Sequence, residues 1–273
     1  MRVTLNRPCE SYHFETVVNW TRGVTDNISE FQISEGMAKL FGLGYHYWRE
    51  VSEVLHLIIP VYDKVNMAIS WGRADEYRRK GIKGNIHLGN RVLDAGSGFG
   101  NMSKMARDET EHNLDIVLYD PLPSMLSGTK KYLPGSLHKS LASGVFEFMP
   151  FRGQIFDAVM CGYSLRDAIE LESAIAEMHR VLKKEGLLVV VDLGKPDNRI
   201  LRALVSFYLE HILSIVAFLV AGQLGLKFKT IHGTFKRWPR NSELYALLCR
   251  HFSEVKFETG LMGAAVIVLA YKK

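Results

Sequence analysis

Cysteine is scarce: three residues in 273, Cys9, Cys161 and Cys249, lie far apart in the chain. That spacing offers neither a C-x-x-C metal pair nor a local disulfide framework, and it makes a reducing compartment the default. The first eleven residues lack the apolar run of a secretory signal, so a cytoplasmic location is expected, with a peripheral position at the membrane as its variant. Internal repeats and low-complexity tracts are absent. Ten histidines are present, yet His46, His56, His112, His138, His179, His211 and His251 show no metal-ligand spacing, and no metal is expected. Residues 212–221 are almost continuously apolar, but Arg202, Glu210 and His211 precede them. The run falls short of the roughly twenty residues of a spanning helix.

What is present is an ordinary globular composition, 47% hydrophobic with a net charge of +5. That charge suits either a nucleic-acid surface or an anionic membrane surface and does not choose between them. From residue 90 onward, short apolar runs at 91–95, 116–119, 158–161 and 187–192 alternate with amphipathic stretches. That alternation is the pattern of a mostly parallel sheet covered by helices. Leu171, Ile175, Met178 and Leu182 recur at helical spacing between the last two runs. Two further strands are expected at 255–258 and 265–271, around Gly260 and Gly263. The chain divides on this reading into an N-terminal helical extension, 1–60, and one α/β domain, 61–273. The extension contains a helical piece at 47–59 and turn signals at Gly23, Gly42 and Gly44. Within the domain, 197–240 forms a helical lid before the last two strands, and 200–226 is apolar on most faces.

The strongest local motif is Val92-Leu93-Asp94-Ala95-Gly96-Ser97-Gly98-Phe99-Gly100, an apolar strand entering a glycine-rich turn and then a helix from Asn101. Ligand can approach the backbone closely there. A dinucleotide site wants a third glycine where Asn101 stands, and an acid at Asp94 would face its pyrophosphate. S-adenosylmethionine has no phosphate and presents an ammonium, a carboxylate and a sulfonium. An acid at the strand end with free amides at the helix start complements it. Twenty residues past Gly100, a second strand ends in Asp120, a carboxylate suited to both ribose hydroxyls.

Five separated blocks from residue 61 onward resemble the ubiquinone/menaquinone C-methyltransferase family. The first is Tyr62-Asp63-x-x-Asn66-x-x-x-Ser70-x-Gly72. The second is the glycine turn. The third is Asp120 with Ser124-Met125-Leu126. The fourth is Tyr163-Ser164-Leu165-Arg166-Asp167, similar to F-G-L-R-N, leading into Glu177-Met178-His179-Arg180-Val181-Leu182-Lys183. The fifth is Lys195-Pro196. The resemblance implies a Rossmann-like, seven-stranded class I methyltransferase sheet and S-adenosylmethionine as cofactor. It implies a cofactor set of Tyr62, Asn66, Ser70, Asp94, Ala95, Gly96, Ser97, Gly98, Gly100, Asp120, Pro121, Met125, Phe146, Glu147 and Gly162. One departure stands out: the family's D-A-E-x-L-P-F is here Val145-Phe146-Glu147-Phe148-Met149-Pro150-Phe151. Val145 thus replaces the acid that would meet the adenine amino group, and Glu147, backbone groups or packing on Phe146 must take its place.

By the same resemblance, the reaction is methylation of a ring carbon in a small, apolar, prenylated quinol. Such a step calls for in-line positioning and a base near the ring hydroxyl. Arg166 is expected to orient the oxygen or a water, and Asp63 and His232 are the candidate bases. Methylation of another small molecule (a lipid, an amine or a hydroxyl compound) and a cofactor-binding assembly partner without activity are the competing readings. No N-P-P-Y-like tetrapeptide follows the fourth strand, where Cys161-Gly162-Tyr163-Ser164 stands, so no nucleic-acid substrate is expected. The apolar segment 212–221 has three readings: core or homodimer packing, acceptance of a prenyl chain, and contact with a bilayer. Lys227, Lys229, Lys236, Arg237 and Arg240 follow it, a cluster that suits either anionic headgroups or solvent.

Overall fold

The structure, a computed structural model, describes residues 3–8, 41–111, 114–132 and 140–273. Most of the N-terminal extension, with Cys9 and Gly23 in it, lies outside the described residues, as do His112 and His138.

The chain forms strand β1 (Val3–Pro8), helices α1 (Tyr45–Ile58), α2 (Tyr62–Ser70) and α3 (Arg73–Ile82), and then the alternating core. The core runs β2 (Arg91–Ala95), α4 (Asn101–Glu109), β3 (Asp115–Asp120), α5 (Pro123–Tyr132), β4 (Leu141–Ser143), β5 (Phe156–Gly162), α6 (Leu171–Val181) and β6 (Leu182–Leu193). Helices α7 (Arg199–Phe207), α8 (Leu213–Ala221), α9 (Gln223–Leu226), α10 (Thr230–Arg237) and α11 (Asn241–Cys249) precede β7 (Glu254–Gly260) and β8 (Ala265–Tyr271).

The strands make one sheet in the order β1-β7-β8-β6-β5-β2-β3-β4. The pairings among β2 to β6 are parallel, and those of β8 with β6, β7 with β8 and β1 with β7 are antiparallel. The seven-stranded arrangement expected of the α/β domain is therefore present, and an eighth strand extends it. That strand, Val3–Pro8, lies inside the extension read as helical pieces and turns, where no strand was expected, and it covers the outer edge of β7. Pairing with an open edge satisfies backbone groups whatever the local sequence preference is.

The central strands are buried on both faces, which is why they read as continuous apolar runs rather than alternating ones. Leu93, Tyr119, Val159 and Val190 pack against α6 and α11, whereas Val92, Leu118, Met160 and Val191 pack against Ile82, Met102 and Ala106 of α3 and α4. A third apolar cluster joins Ile58 and Val65 to Leu209, Leu213, Ala217, Phe228 and Phe235, and it fastens the helices before β7 onto α1 and α2. Helix starts carry the expected local chemistry. Asn198 accepts from the Ile200 and Leu201 amides at the start of α7, and Glu170 accepts from the Ser173 amide at the start of α6.

After β2 the chain moves outward to β3 and β4, then returns to place β5 on the other side of β2. This reversal opens a crevice at the carboxyl ends of β2 and β5, where open α/β sheets hold their ligands.

Candidate active site

Register levels the relevant strand ends. Asp94 stands opposite Leu118 on β3 and Met160 on β5, so Asp120 and Gly162 end at one level, two residues beyond Asp94. Beyond Asp94 the backbone turns through Gly96, Gly98 and Gly100, all at positive φ, before α4 begins. At Gly96 the requirement is double. Its φ is 69°, and a Cβ there would overlap the Ser164 side chain and the Phe146 ring. The turn is tied to the next strand by the Gly96 and Ser97 amides, which donate to the Tyr119 carbonyl at 2.7 and 3.0 Å. The Gly98 amide donates to Asp120 Oδ2 at 2.8 Å.

The cavity above this turn is lined by Tyr62, Asp94, Gly96, Ser97, Gly98, Asp120, Pro121, Met125, Phe146, Glu147 and Gly162 among the expected cofactor residues. The remaining four are not part of the lining. Ala95 is fully buried, and its carbonyl accepts from Ser164 Oγ. Gly100 caps α4, Asn66 reaches the Tyr62 hydroxyl, and Ser70 faces a different cavity. Residues not foreseen complete the walls: Trp48, Val51 and Leu55 of α1, Arg78 of α3, Tyr163 and Asp167.

Six buried polar side-chain atoms lack a hydrogen-bond partner among the described residues, and four belong to this lining: Asp94 Oδ1, Ser97 Oγ, Glu147 Oε2 and Arg78 Nε. Leaving such groups bare costs about 1–3 kcal/mol each, so the wall is built for a polar ligand. The polar groups on this wall could receive the ammonium, carboxylate, ribose and adenine of S-adenosylmethionine. A free carboxylate oxygen at Asp94 suits an ammonium and a cation at Arg78 suits a carboxylate. Asp120 suits ribose hydroxyls, because each of its oxygens accepts one amide and keeps a further lone pair. Glu147 Oε1 is occupied by the Glu170 amide at 3.0 Å, which leaves Oε2 for an adenine amino group where Val145 has no acid to offer.

Burial pushes the carboxyls of Asp94, Asp120 and Asp167 up to about 6 from an ordinary 3.8. For Asp94 the two bonds from Ser103, at 3.0 and 2.6 Å, only partly offset the lost hydration. A carboxylate that must be charged to hold an ammonium is neutralised below its free-protein pKa. Affinity for S-adenosylmethionine is therefore expected to hold steady above pH 7 and to weaken below pH 6, by up to about tenfold per pH unit for each group titrating. Isothermal titration calorimetry across that range checks it, and a flat profile down to pH 5 would contradict the assignment.

The three residues expected to act in catalysis are placed differently from one another. Arg166 is nearly buried; its Nη1 donates to Asp192 Oδ1 at 2.7 Å and to the Tyr163 carbonyl at 2.8 Å. It stands behind the cavity wall rather than in it. His232 is buried in α10, 2.9 Å from Ser206 Oγ and 3.8 Å from Glu210, where burial lowers its pKa. Asp63 sits in the first turn of α2, and like His232 it lines neither the cofactor cavity nor the apolar cavity beside it. A fourth carboxylate in the cavity lining, after Asp94, Asp120 and Glu147, is Asp167, with Arg166 Nε 3.9 Å away. No group of three His, Cys, Asp or Glu residues able to hold a metal occurs among the described residues.

A second cavity of about 520 Å³ adjoins the first. Ile69, Trp71, Leu204, Tyr208 and Leu261 line it, and it shares Tyr163 with the cofactor cavity. Tyr163 holds the left-handed backbone conformation, φ 61°, with the Arg78 guanidinium 4.9 Å over its ring. A non-glycine residue in that conformation costs of order 1–3 kcal/mol and marks a position held by its surroundings.

The model of the ubiE/COQ5 methyltransferase family matches residues 45–272. The ubiquinone/menaquinone biosynthesis C-methyltransferase UbiE of Blochmanniella pennsylvanica is 29% identical over 227 residues, 81% of this chain and 89% of that protein. The demethylmenaquinone methyltransferase of Thermus thermophilus is 25% identical over 212 residues, 77% and 96% of the two chains. Among solved structures, a SAM-dependent methyltransferase from Thermotoga maritima, described as a possible histamine N-methyltransferase, superposes with a TM-score of 0.54 at 17% identity. It covers 80% of this chain and 100% of its own; at that identity the likeness speaks for the fold alone.

Proposed function

Because this chain belongs to the ubiE/COQ5 methyltransferase family, we propose that it moves the methyl group of S-adenosylmethionine to a ring carbon of a prenylated quinol in quinone biosynthesis. The observation that carries the reading is the pairing of two unlike cavities across one residue. A polar cavity with four unpartnered buried groups meets an almost wholly apolar one at Tyr163. A polar cofactor and a lipophilic acceptor need such an arrangement, and a prenyl tail finds room in the second cavity.

The cofactor supplies a methyl carbon on a positively charged sulfur, which departs without protonation. What is left to the protein is orientation and the handling of one proton. Holding the reactants in line can contribute on the order of 7–11 kcal/mol. Trp48, Val51 and Leu55 of α1 close the polar cavity against water. A quinol ring carbon becomes nucleophilic as the neighbouring hydroxyl loses its proton. Asp167 is the base we assign, since it lines the cavity and burial raises its carboxyl to about 6, close to working pH. The hydroxyl proton passes to an Asp167 carboxylate oxygen as the new carbon–carbon bond forms; the dienone so made loses its ring C–H proton to water, and the resulting phenolate takes its proton back from Asp167, which returns to the carboxylate. Arg166, fixed to Asp192 and the Tyr163 carbonyl, positions the turn that carries both Tyr163 and Asp167.

Two measurements test the reading. Purified protein incubated with labelled S-adenosylmethionine and membrane-lipid extract is expected to label a quinone, identified by mass spectrometry; label in another lipid would replace the acceptor and keep the reaction. In Asp167→Asn, kcat is expected to fall by about 10²–10⁴ with the cofactor Kd within a few-fold of wild type. The acidic limb near pH 6 of the wild-type kcat, read at saturating cofactor so that titration of Asp94 and Asp120 does not enter, should vanish from the residual activity. An unchanged limb would remove Asp167 from the proton path.

A further inference from the structure

The segment 199–221 is one continuous helix of 23 residues, in which a π-helical turn at Tyr208–Ile212 joins α7 to α8. The short apolar run read from the sequence is thus part of an element long and apolar enough to cross a membrane by length and composition, although only 17% of its most apolar window is buried. Its inner face is pinned. Leu209, Leu213 and Ala217 pack on Ile58, Val65 and Phe228, and the Tyr208 hydroxyl donates to the Ile69 carbonyl at 2.9 Å. Its outer face should then be polar, as on a helix that borders water. Instead Ile200, Leu204, Phe207, Ile215, Phe218 and Leu219 are exposed, with Leu219 at 78%. They recur at helical spacing over twenty residues, a stripe about 30 Å long.

We propose that α7 and α8 lie flat in the interface of an anionic bilayer and that the apolar cavity behind them takes a hydrocarbon tail directly from it. Three observations select a lipid surface over other occupants. The helix cannot leave the domain to span, because its inner face belongs to the third apolar cluster. Exposed cations stand at both ends of the stripe, with Arg199 at its start and Lys227 and Lys229 in the turn packed on α8, and Glu210 is the one acid in the helix. Anionic headgroups complement that charge, whereas a second copy would bring like charges together. Finally, the cavity is continuous with this face. Leu204 is both exposed on the stripe and part of the cavity lining, beside Trp71, which is 81% exposed as an interfacial tryptophan would be. The tail-binding part rests on the lipophilic acceptor proposed above, and the docking part stands without it.

Flotation with phosphatidylcholine vesicles, with and without phosphatidylglycerol, tests the surface. The full chain is expected to float with the anionic vesicles, less at high salt. The triple variant Ile215→Gln, Phe218→Gln, Leu219→Gln should lose vesicle partition by at least about tenfold. Its residues touch neither cavity, so methylation of a short-tailed, water-soluble quinol should be unchanged while that of a long-tailed quinol in vesicles falls. Ala74→Leu, which fills part of the apolar cavity, should raise KM for the long-tailed acceptor and leave flotation as it was. Wild type that stays with the soluble fraction, or a triple variant that floats equally well, overturns the docking surface. So does a wild-type dimer that the triple variant dissociates without any vesicle binding, since a second copy would then cover the stripe. An unchanged KM in Ala74→Leu overturns the tail site alone. Failure of all quinols to accept methyl would defeat the proposed function and leave the flotation result standing.

Discussion

Asp94→Asn is expected to abolish useful cofactor binding while making the free protein more stable. The carboxylate is 1% exposed, one of its oxygens receives both bonds from Ser103, and the other has no partner. In the free protein that negative charge is a burden, visible in a pKa raised to about 6 by burial. The side-chain amide of Asn keeps an acceptor for Ser103 and removes the charge. With the ammonium in place the balance reverses, since a charge-assisted hydrogen bond is worth about 1.5–3 kcal/mol and more when shielded from water. A loss of about a hundredfold or more in affinity follows. The sign of the stability effect depends on pH. The folded pKa lies above the unfolded one, so the penalty is fully present above pH 6 and fades as the pH falls toward 4, at about 1.4 kcal/mol per pH unit between the two values. The variant should therefore melt above wild type at pH 7.5 and level with it near pH 4. Differential scanning calorimetry at both pH values, with calorimetric titration of the cofactor, reads both effects. A variant that melts lower at pH 7.5 would show that Asp94 serves the fold rather than the ligand.

Arg166→Ala is expected to cost more stability than any other single change in the site. Its guanidinium neutralises Asp192, which is fully buried and accepts Arg166 Nη1 and its own neighbour Leu193 N at 2.7 Å each. Removing one partner of a buried pair strands the other, at about 3–5 kcal/mol. For a chain of this size the melting temperature should drop by roughly 10 °C. Low activity in that variant would thus report damage to the fold before it reported chemistry. A well-packed replacement of the whole pair, Arg166→Met with Asp192→Leu, separates the two, because exchanging a buried ion pair for apolar side chains is often neutral or stabilising. That double variant should regain the wild-type melting temperature. If Arg166→Ala alone melts like wild type, the arginine is free of Asp192 in solution and could reach the acceptor itself.

These two residues illustrate how far a reading along the chain extends. Asp94 is legible because everything that defines it is local: an apolar strand, an acid at its end, and glycines that allow the following turn. Arg166 is legible as a residue of interest but not in its role, since its partner Asp192 lies 26 positions away on a strand that becomes its neighbour only when β5 and β6 pair. The candidate bases divide on the same ground. Asp63 and His232 have suitable chemistry, yet whether α2 and α10 turn them toward the cavity depends on how the third apolar cluster packs. Asp167, four residues past a strained tyrosine, is carried into the cavity by the turn after β5.

The alternating α/β core, the glycine turn, the acids ending β2 and β3, and with them the class of cofactor, are written in the order of the residues. Each is encoded within about ten residues, in side-chain periodicity and in backbone conformations that few residues adopt. The rest came from tertiary packing. It brought α1 and Arg78 over the cofactor cavity, set Tyr163 between two cavities, added β1 to the sheet edge, and left one side of a 23-residue apolar helix bare. The added strand answers to unpaired backbone at the edge of β7, and one physical cause is common to the other three. An apolar residue's contribution depends on whether another element covers it, and that is settled by which faces meet across the chain, a matter the residue's own neighbours in sequence do not specify.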